Sequence, residues 1–377
     1  MTAVLRGITW EHARGYDSVV AAAHEYRRVR PDVDVRWEFR SLQAFADHPI
    51  DDLVEAYDLL IVDHPHVPLA AERGLFAPLD GQGFDDRLGV LATQSVGRSH
   101  ESYFHAGHQW GLATDAAAQV AAYRPDLLPE PPRDWPAVLE LAREGRVLWP
   151  AKPIDAFSSL VTLCANRGTP PLRGDGFLAF EKVSPALELL HELAALVPED
   201  NLGMNPIQVA DELATSDRWA YSPLLFGYTN YSRAGFRPSR LRYIDIPRGP
   251  QGVAGSLLGG AGVAVSARSA HIPAAVDFAF WLDSAAVQEG VYYDGGGQPG
   301  NAVAWESERT NADSLDFFRG TRETLDGAYL RPRHANYIEL QDESSPLVTA
   351  ALRRELGDRE LVDRLNDIAH RLLGGTP

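Results

Sequence analysis

The sequence contains a single cysteine, Cys164, among 377 residues. One cysteine excludes an intrachain disulfide, a cysteine-rich zinc site and an iron–sulfur cluster. It lies in the apolar helical pattern LVTLCA at 160–165, so we expect a small buried side chain rather than a nucleophile. Long hydrophobic runs are also absent, since none approaches the ~20 residues that a membrane-spanning helix needs. We therefore expect no membrane insertion.

Positive charge is the second scarce feature. The chain has 35 Lys and Arg against 52 Asp and Glu, which gives a net charge of −17 at pH 7. Nucleic acids and anionic membranes would repel such a chain, so neither is expected as a partner. The only lysines are Lys152 and Lys182. The other basic residues are arginines, whose planar guanidinium can hold a carboxylate or phosphate through two hydrogen bonds.

A secretory leader is the third feature that the sequence lacks. Such a leader begins with basic residues, continues with an apolar stretch and ends at a small-residue cleavage site. Here residues 1–3 lead directly into VLRGITW at 4–10, which has the pattern of a strand. The sequence as it stands therefore predicts a cytoplasmic protein, and a periplasmic or extracellular one if a leader was trimmed.

The first eighty residues alternate between strand and helix patterns. Residues 33–39 alternate apolar and charged side chains, as in a strand that buries the face carrying Val33, Trp37 and Phe39. The apolar run LLIV at 59–62 is typical of a central parallel strand. Helices are predicted over 17–30, with Asp17 as the cap, and over 50–57 and 69–73. This order predicts an α/β fold with a parallel sheet and right-handed crossovers.

Two segments rich in polar and aromatic side chains follow predicted strands. They are WEHARGY at 10–16, after the first strand, and DHPH at 63–66, after the third. Each segment alone could be a turn with ordinary surface residues. Because ligands of parallel sheets bind beyond the carboxyl ends of the strands, two such clusters at equivalent positions favour a binding site.

The rest of the chain shows further strand and helix patterns. The segments at 219–223 and 228–231 are interpreted as aromatic-rich loops. One helix is predicted to open with Ser184 as its cap and Pro185 in its first turn. The predicted strands lie at 120–123, 241–246 and 262–266, and the predicted helices at 135–143 (capped by Asp134), 158–166, 184–196, 272–284, 315–325 and 347–373.

Several segments, taken in order, resemble the extracellular solute-binding proteins that serve ABC importers, the group that includes the maltose- and other sugar-binding proteins. The resemblance covers nearly the whole chain and rests on order and spacing rather than on any one motif. The segments match that family's third strand and following helix, its first crossing between lobes, and its return to the first lobe: DLLIVD at 58–63, LAAERGLFAPLD at 69–80, GLATD at 111–115, AAYRPDLL at 121–128, IPRGP at 246–250, LGGAGVAVS at 258–266, and 275–282.

The resemblance implies a two-lobed, periplasmic-binding-protein-like fold. Its lobes are joined by crossing hinge segments and close on a small polar solute, a sugar or an organic acid, in the cleft between them. The first lobe is expected to hold 1–112 and 260–307, and the second 113–259 and 308–377. The expected partners are a small-molecule ligand and an ABC permease, and the expected state is a monomer. No cofactor and no bound metal are expected.

The resemblance also places ligand contacts at ten positions of this chain. Trp10, Trp219 and Tyr221 would stack on the apolar faces of a sugar, and Asp63 and Asp115 would accept hydrogen bonds from its hydroxyls. An acid-bearing ligand held by Arg14 and His12 would suit the site about as well. The predicted ligand-binding residues are Trp10, His12, Arg14, Asp63, His64, Asp115, Trp219, Tyr221, Gly259 and Gly260, the two glycines because they let a ligand approach the backbone.

Two alternatives stay open at this point. His12, His64 and His66 with a nearby carboxylate, or the second histidine cluster at 100–108, would suit a divalent metal, although neither has a recognised metal-ligand spacing. A cytoplasmic enzyme on the same fold would use His12, His64 and Asp63 as acid–base groups. The glycine pattern at 295–300 does not predict a dinucleotide site, because no strand precedes it.

Overall fold

Helices and strands alternate along the chain in the computed structural model, which describes residues 2–41, 50–174 and 176–374. The chain divides into two units, one formed by residues 1–117 and 259–312, the other by 118–258 and 313–377. Separate hydrophobic cores lie in the two units. Each unit is therefore described by itself.

The first unit opens with strands that are connected by helices, as the sequence predicts. The elements are β1 (Ala3–Trp10), α1 (Ser18–Val29), β2 (Val33–Arg40), α2 (Ile50–Ala56), β3 (Leu59–Asp63), α3 (Val67–Arg73), α4 (Asp85–Thr93), and the short hairpin strands β4 (Phe104–His105) and β5 (His108–Gln109).

The middle of the chain forms most of the second unit. Its elements are β6 (Ala117–Tyr123), α5 (Trp135–Arg143), α6 (Pro153–Asn166), α7 (Phe180–Leu196), α8 (Pro206–Thr215), β7 (Tyr221–Phe226), β8 (Arg242–Ile244) and β9 (Leu258–Gly259). The predicted cap of α5 is confirmed, since the Asp134 side chain accepts a hydrogen bond from the Ala137 backbone N–H at 3.0 Å.

The chain then returns to the first unit before ending in the second. The returning elements are β10 (Ala261–Val265), α9 (Ile272–Leu282), α10 (Ala285–Val287), α11 (Ala302–Glu306) and α12 (Glu308–Asp313). The C-terminal elements of the second unit are α13 (Phe317–Asp326), α14 (Tyr337–Leu352) and α15 (Asp358–Leu373).

The sheet of the first unit has the strand order β10-β3-β1-β2. β1 lies parallel to both β2 and β3, which confirms the predicted parallel sheet, and β10 adds to β3 in the antiparallel sense. The register pairs Trp10 with Arg40, and Asp63 with Ala261. The last residues of β1, β2 and β3 and the first residue of β10 therefore share one edge of this sheet.

The sheet of the second unit is antiparallel, with the order β7-β6-β8. The segment at 219–223 was predicted to be a loop, but β7 begins at Tyr221. Pro223 misled the prediction, because a proline cannot donate a hydrogen bond to a neighbouring strand. The pairing shifts register between Val120 and Ala122, opposite Pro223, and this irregularity accommodates the proline.

Several predicted helix boundaries are wrong, and α6 begins five residues before its predicted start at 158. Asp17 makes no side-chain cap hydrogen bond, because a π-helical turn at Ala13–Asp17 precedes α1. α7 begins at Phe180, so Pro185 lies inside the helix. The additional N-terminal turn packs into the core through the buried side chain of Val183. The stretch at 347–373 is two helices, which the left-handed residue Arg354 (φ 62°) separates.

Candidate functional site

The candidate site is the carboxyl edge of the first unit's sheet. The register of the parallel strands brings Trp10, Arg40 and Asp63 to this edge, and the antiparallel β10 begins beside Asp63. The predicted residues Trp10, His12, Asp63 and Gly260 therefore lie at one edge, as the parallel order of the strands requires. Arg40 lies there too, and it was not predicted.

The π-helical turn after β1 fixes the first predicted cluster. The Nδ1 atom of His12 accepts a hydrogen bond from the Arg14 backbone N–H at 3.0 Å. Gly15 packs flat on Trp10, where a Cβ atom would come within 2.4 Å of the indole ring. The Trp10 side chain is only 4% exposed. The structure thus gives Trp10 a packing role beneath the turn, and its stacking on a ligand stays a prediction.

Arg14 and Asp115 form a buried, two-pronged ion pair. The Nε atom of Arg14 lies 2.7 Å from Oδ2 of Asp115, and its Nη2 atom lies 2.5 Å from Oδ1. Both side chains are almost fully buried. Paired charges in this geometry form strong, directional hydrogen bonds. The pair ties the turn after β1 to the segment that leads into β6, and a ligand anion at Arg14 would have to compete with Asp115.

The two glycines were expected to let a ligand approach the backbone. Gly260 has a φ of 93°, a conformation that strains any other residue. A Cβ atom at this position would come within 2.4 Å of the Asp115 carbonyl oxygen. This contact within the chain explains Gly260 without a ligand. A ligand contact at Gly259 or Gly260 stays a prediction.

Asp63 and His64 are neighbours in sequence, but their environments differ. His64 is fully buried, with its ring 6.4 Å from that of Tyr103, so it lies in the core beneath the edge. Asp63 is half-buried. Burial lowers the pKa of Arg40 to about 10, and the negative charge of Asp63 opposes this shift. Asp63 and Arg40 therefore give the edge one group of each charge.

An aromatic pair at the edge was missed. The rings of Tyr16 and Phe39 meet edge to face with their centroids 4.8 Å apart, and Phe39 is 48% exposed. The alternating pattern of β2 predicted that Phe39 is buried, which is wrong. Phe39 shares a face with Val33 and Trp37, and among the described residues the ring of Tyr16, in the π-helical turn, packs against it.

The predicted aromatic residues of the second unit lie in its core. Tyr221 is fully buried in β7, and its hydroxyl donates a hydrogen bond to the Pro132 carbonyl oxygen at 3.4 Å. Trp219 is buried as well, with the Arg218 guanidinium 4.2 Å above the ring. Both rings pack against protein groups in this structure, and their stacking on a ligand stays a prediction.

The two histidine clusters were considered as metal sites. Over residues 2–41, 50–174 and 176–374, no group of three His, Cys, Asp or Glu side chains is arranged to hold a metal ion. His108 instead lies 2.8 Å from Oδ2 of Asp80. Cys164 is buried, as predicted, and its burial raises the thiol pKa to about 12. In the same described ranges, no helix is long and apolar enough to cross a membrane.

Comparison with known proteins gives matches in sequence family and in fold. A family model described as bacterial extracellular solute-binding protein matches residues 50–316, which is more than half of the chain. No curated protein sequence matches. Among solved structures, maltose-bound MalE3 of T. maritima is 16% identical with a TM-score of 0.85, the match covering 99% of this chain and 100% of that one.

Two further structures are similar over nearly their whole lengths. A solute-binding protein of an ABC transporter from Agrobacterium radiobacter K84, in complex with ribitol, is 18% identical with a TM-score of 0.84, covering 98% of both chains. One from Thermotoga lettingae, bound with α-D-tagatose, is 17% identical with a TM-score of 0.82, covering 99% of this chain and 100% of that one. The chain therefore belongs to the bacterial extracellular solute-binding protein family and has its two-lobed α/β fold.

Proposed function

We propose that this protein binds a sugar or a sugar alcohol, with the carboxyl edge of the first unit's sheet as part of the binding site. Proteins of its family bind small-molecule solutes. The similar structures described above hold maltose, ribitol and tagatose. These ligands share apolar C–H faces and many hydroxyls, so a site for them needs an aromatic surface and charged or polar acceptors.

The sheet edge offers both kinds of group. The exposed Phe39 ring, braced by Tyr16, is the observation that carries the proposal, because it is a large apolar surface beside charged side chains. Asp63 lies on β3, two strands away from Phe39 on β2. Neighbouring strands are ~4.8 Å apart, which puts the two strand ends about 10 Å apart, a distance that a disaccharide spans.

A neutral ligand fits this edge better than an acid-bearing one. Arg14 already has a carboxylate partner in Asp115, so its guanidinium is less available to bind a ligand anion. Arg40 stands near the negative charge of Asp63, and this pair can donate to and accept from hydroxyl groups without a net charge. His12 holds the π-helical turn that supports the edge.

The experiment is a thermal-shift screen of the full chain against sugars, sugar alcohols and organic acids. A ligand that binds only the folded protein raises Tm, by about 2.7 kcal/mol of added stability at a hundred times its Kd. We expect a hit among the neutral polyols. Asp63→Asn and Phe39→Ala should each weaken its binding at least tenfold, as measured by calorimetry, because each removes one kind of contact.

Phe104→Ala is the matched control for Phe39→Ala. Phe104 is equally exposed, at 48%, but it lies on the β4–β5 hairpin of the same unit. Its removal should leave the affinity unchanged. Hits confined to organic acids, or equal losses from Phe104→Ala and Phe39→Ala, would overturn the assignment of the ligand to this edge.

We further propose which parts of the chain form the two lobes, in what oligomeric state and where the protein acts, and which partner receives the ligand. Two lobes close on the ligand, one formed by residues 1–117 and 259–312 and the other by 118–258 and 313–377.

The protein acts as a monomer outside the cytoplasm and delivers its ligand to an ABC permease. Light scattering of the liganded protein tests the monomer, and recovery of the ligand unchanged after incubation tests binding without chemistry. None of the matches supports the alternative of an enzyme.

A further inference from the structure

The first unit contains a small, partly open cavity away from the sheet edge. Its volume is about 20 Å³, which is room for one water-sized occupant. It lies between the end of α4, the segment at 112–113 that leads toward β6, and the residues around α9 and α11. Its lining is Leu91, Gln94, Ser95, His100, Leu112, Ala113, Asp283, Gly300 and Asn301.

Asp283 brings a carboxyl group to this cavity without enough partners for its two oxygens. The side chain is only 3% exposed. Its Oδ2 atom accepts a hydrogen bond from the Thr114 hydroxyl at 3.0 Å. Its Oδ1 atom is buried, and no donor within the described residues reaches it. A buried polar atom in this state costs stability unless something in the cavity satisfies it.

The negative charge of Asp283 also lacks a partner of opposite charge among the described residues. No Asp283 ion pair occurs within the described residues, whereas the buried Asp155 of the second unit has Lys152 beside it. Desolvation raises the pKa of Asp283 to about 8, and only the Thr114 hydrogen bond opposes this. Either a proton or another small cation must therefore neutralise the carboxylate at neutral pH.

The other titratable groups near the cavity bring no positive charge to Asp283. His100 lines the cavity, and burial lowers its pKa, so the imidazole is neutral at pH 7 and neither pairs with Asp283 nor repels a cation. Tyr292 lies close enough for the charge of Asp283 to contribute to its raised pKa, so it stays protonated. Gln94 adds an amide oxygen to the lining, already bonded to the Asn301 amide at 2.9 Å.

We propose that this cavity is a binding site for one monovalent metal cation, Na⁺ or K⁺, with Oδ1 of Asp283 as its anionic ligand. Hard cations prefer carboxylate, amide and hydroxyl oxygens, which Asp283, Gln94 and Ser95 supply. A single carboxylate matches a single positive charge, whereas a divalent ion would leave a net charge buried. The cation competes with the proton for Asp283, so it binds more tightly as the pH rises.

A cation in the cavity would stabilise residues 112–117, through which the chain leaves the first unit. The Thr114 hydroxyl that donates to Asp283 also accepts a hydrogen bond from the Val263 backbone N–H at 3.2 Å. Residues 112–117 leave the first unit, and β10 returns to it. A cation at Asp283 would therefore support the hydrogen bonds that join the outgoing and returning segments.

The test compares the Tm of the full chain in 100 mM chloride salts of Na⁺, K⁺ and tetramethylammonium, at pH 5 and pH 9. Matched ionic strength removes the general effect of salt. We expect Na⁺ or K⁺ to raise Tm at pH 9 by about 3 °C over the bulky organic cation, and by less than about 1 °C at pH 5. Equal Tm values in all three salts at pH 9 would show that a proton or water serves the site instead.

Two variants separate this site from general salt effects. Asp283→Asn should abolish the difference between the salts at pH 9. Asp155→Asn, which removes an equally buried carboxyl of the second unit, should leave the difference intact. If Asp283→Asn fails to fold, ²³Na relaxation of the wild-type protein at pH 9 decides the matter. Line broadening that K⁺ reverses supports the site, and a signal identical to that of buffer overturns it.

Discussion

Phe39 of the first unit and Tyr221 of the second both lie near the end of a strand, but they are exposed to different extents. In the first unit, parallel strands end at one edge, where Asp63 is half-buried and Phe39 is 48% exposed. In the second, every residue of β6 is buried, and Tyr221 at the start of β7 belongs to the core. Phe39, near the end of β2, is thus a surface group, whereas Tyr221, at the start of β7, is a core group. Cover by neighbouring elements, rather than residue type, decides which residues a ligand can reach.

Truncating an aromatic side chain in each unit tests this contrast, and it should give the largest effect. Tyr221→Ala removes a fully buried ring and should lower the free energy of unfolding by about 4 kcal/mol. Phe39→Ala removes a half-exposed ring and should cost less than about 1 kcal/mol. Urea unfolding of the full chain measures both.

Tyr221→Phe is the control for the larger change. It removes only the hydroxyl and its long hydrogen bond to Pro132, so it should cost about 1 kcal/mol or less. Equal losses from Tyr221→Ala and Phe39→Ala would mean that the ring at the sheet edge is packed like a core residue, and the contrast between the units would fail.

A second comparison sets a buried ion pair of the first unit against an exposed one. Asp115→Asn leaves the Arg14 guanidinium buried without a carboxylate, which should cost about 3 kcal/mol. Glu38→Gln breaks the exposed pair with Arg6 on the same sheet and should cost less than about 1 kcal/mol. Unfolding at 0.1 M and 1 M NaCl checks the distinction, because salt screens only the exposed pair. A strong salt dependence of the Asp115→Asn loss would contradict it.

The sequence predicted the parallel sheet of the first unit because its signals are local. The apolar run at 59–62 and the alternation at 33–39 each specify a strand, and their order along the chain specifies parallel pairing. The position of Asp63 at the sheet edge follows from these elements alone. The family resemblance was also sound, because it depends on the order of such elements rather than on side-chain contacts.

The site's side chains could not be predicted in the same way. The alternation in β2 marks the face to which Phe39 belongs, but not how much of that face neighbouring elements cover near the end of the strand. Arg14 and Asp115 are 101 residues apart, and nothing local marks them as partners. Tyr221 was placed in a loop because Pro223 follows it, whereas the shifted pairing with β6 absorbs the proline. Exposure and pairing are tertiary properties, which a linear pattern does not contain.

The buried aspartates give the last and smallest test of the contrast between the units. Burial raises the pKa of Asp155 to about 8 from 3.8, and Lys152 opposes the shift. Because the folded state keeps this proton to a higher pH than the unfolded state, the stability that the group contributes is fully present below pH 4. It is lost as the pH rises toward 8, by about 1.4 kcal/mol per pH unit at most.

Asparagine at this position does not titrate, so Asp155→Asn should gain stability relative to the wild type between pH 5 and pH 7. Urea unfolding at pH 5, 6 and 7 measures the gain, and Asp283→Asn provides the comparison in the first unit. If Na⁺ occupies the cavity at Asp283, the gain from Asp283→Asn should shrink in Na⁺ and return in tetramethylammonium, whereas the gain from Asp155→Asn should be the same in both. A pH-independent difference for Asp155→Asn would mean that Lys152 compensates the carboxylate fully. The two units would then differ in how they neutralise a buried charge, one by a side chain of its own and the other by an ion taken from solution.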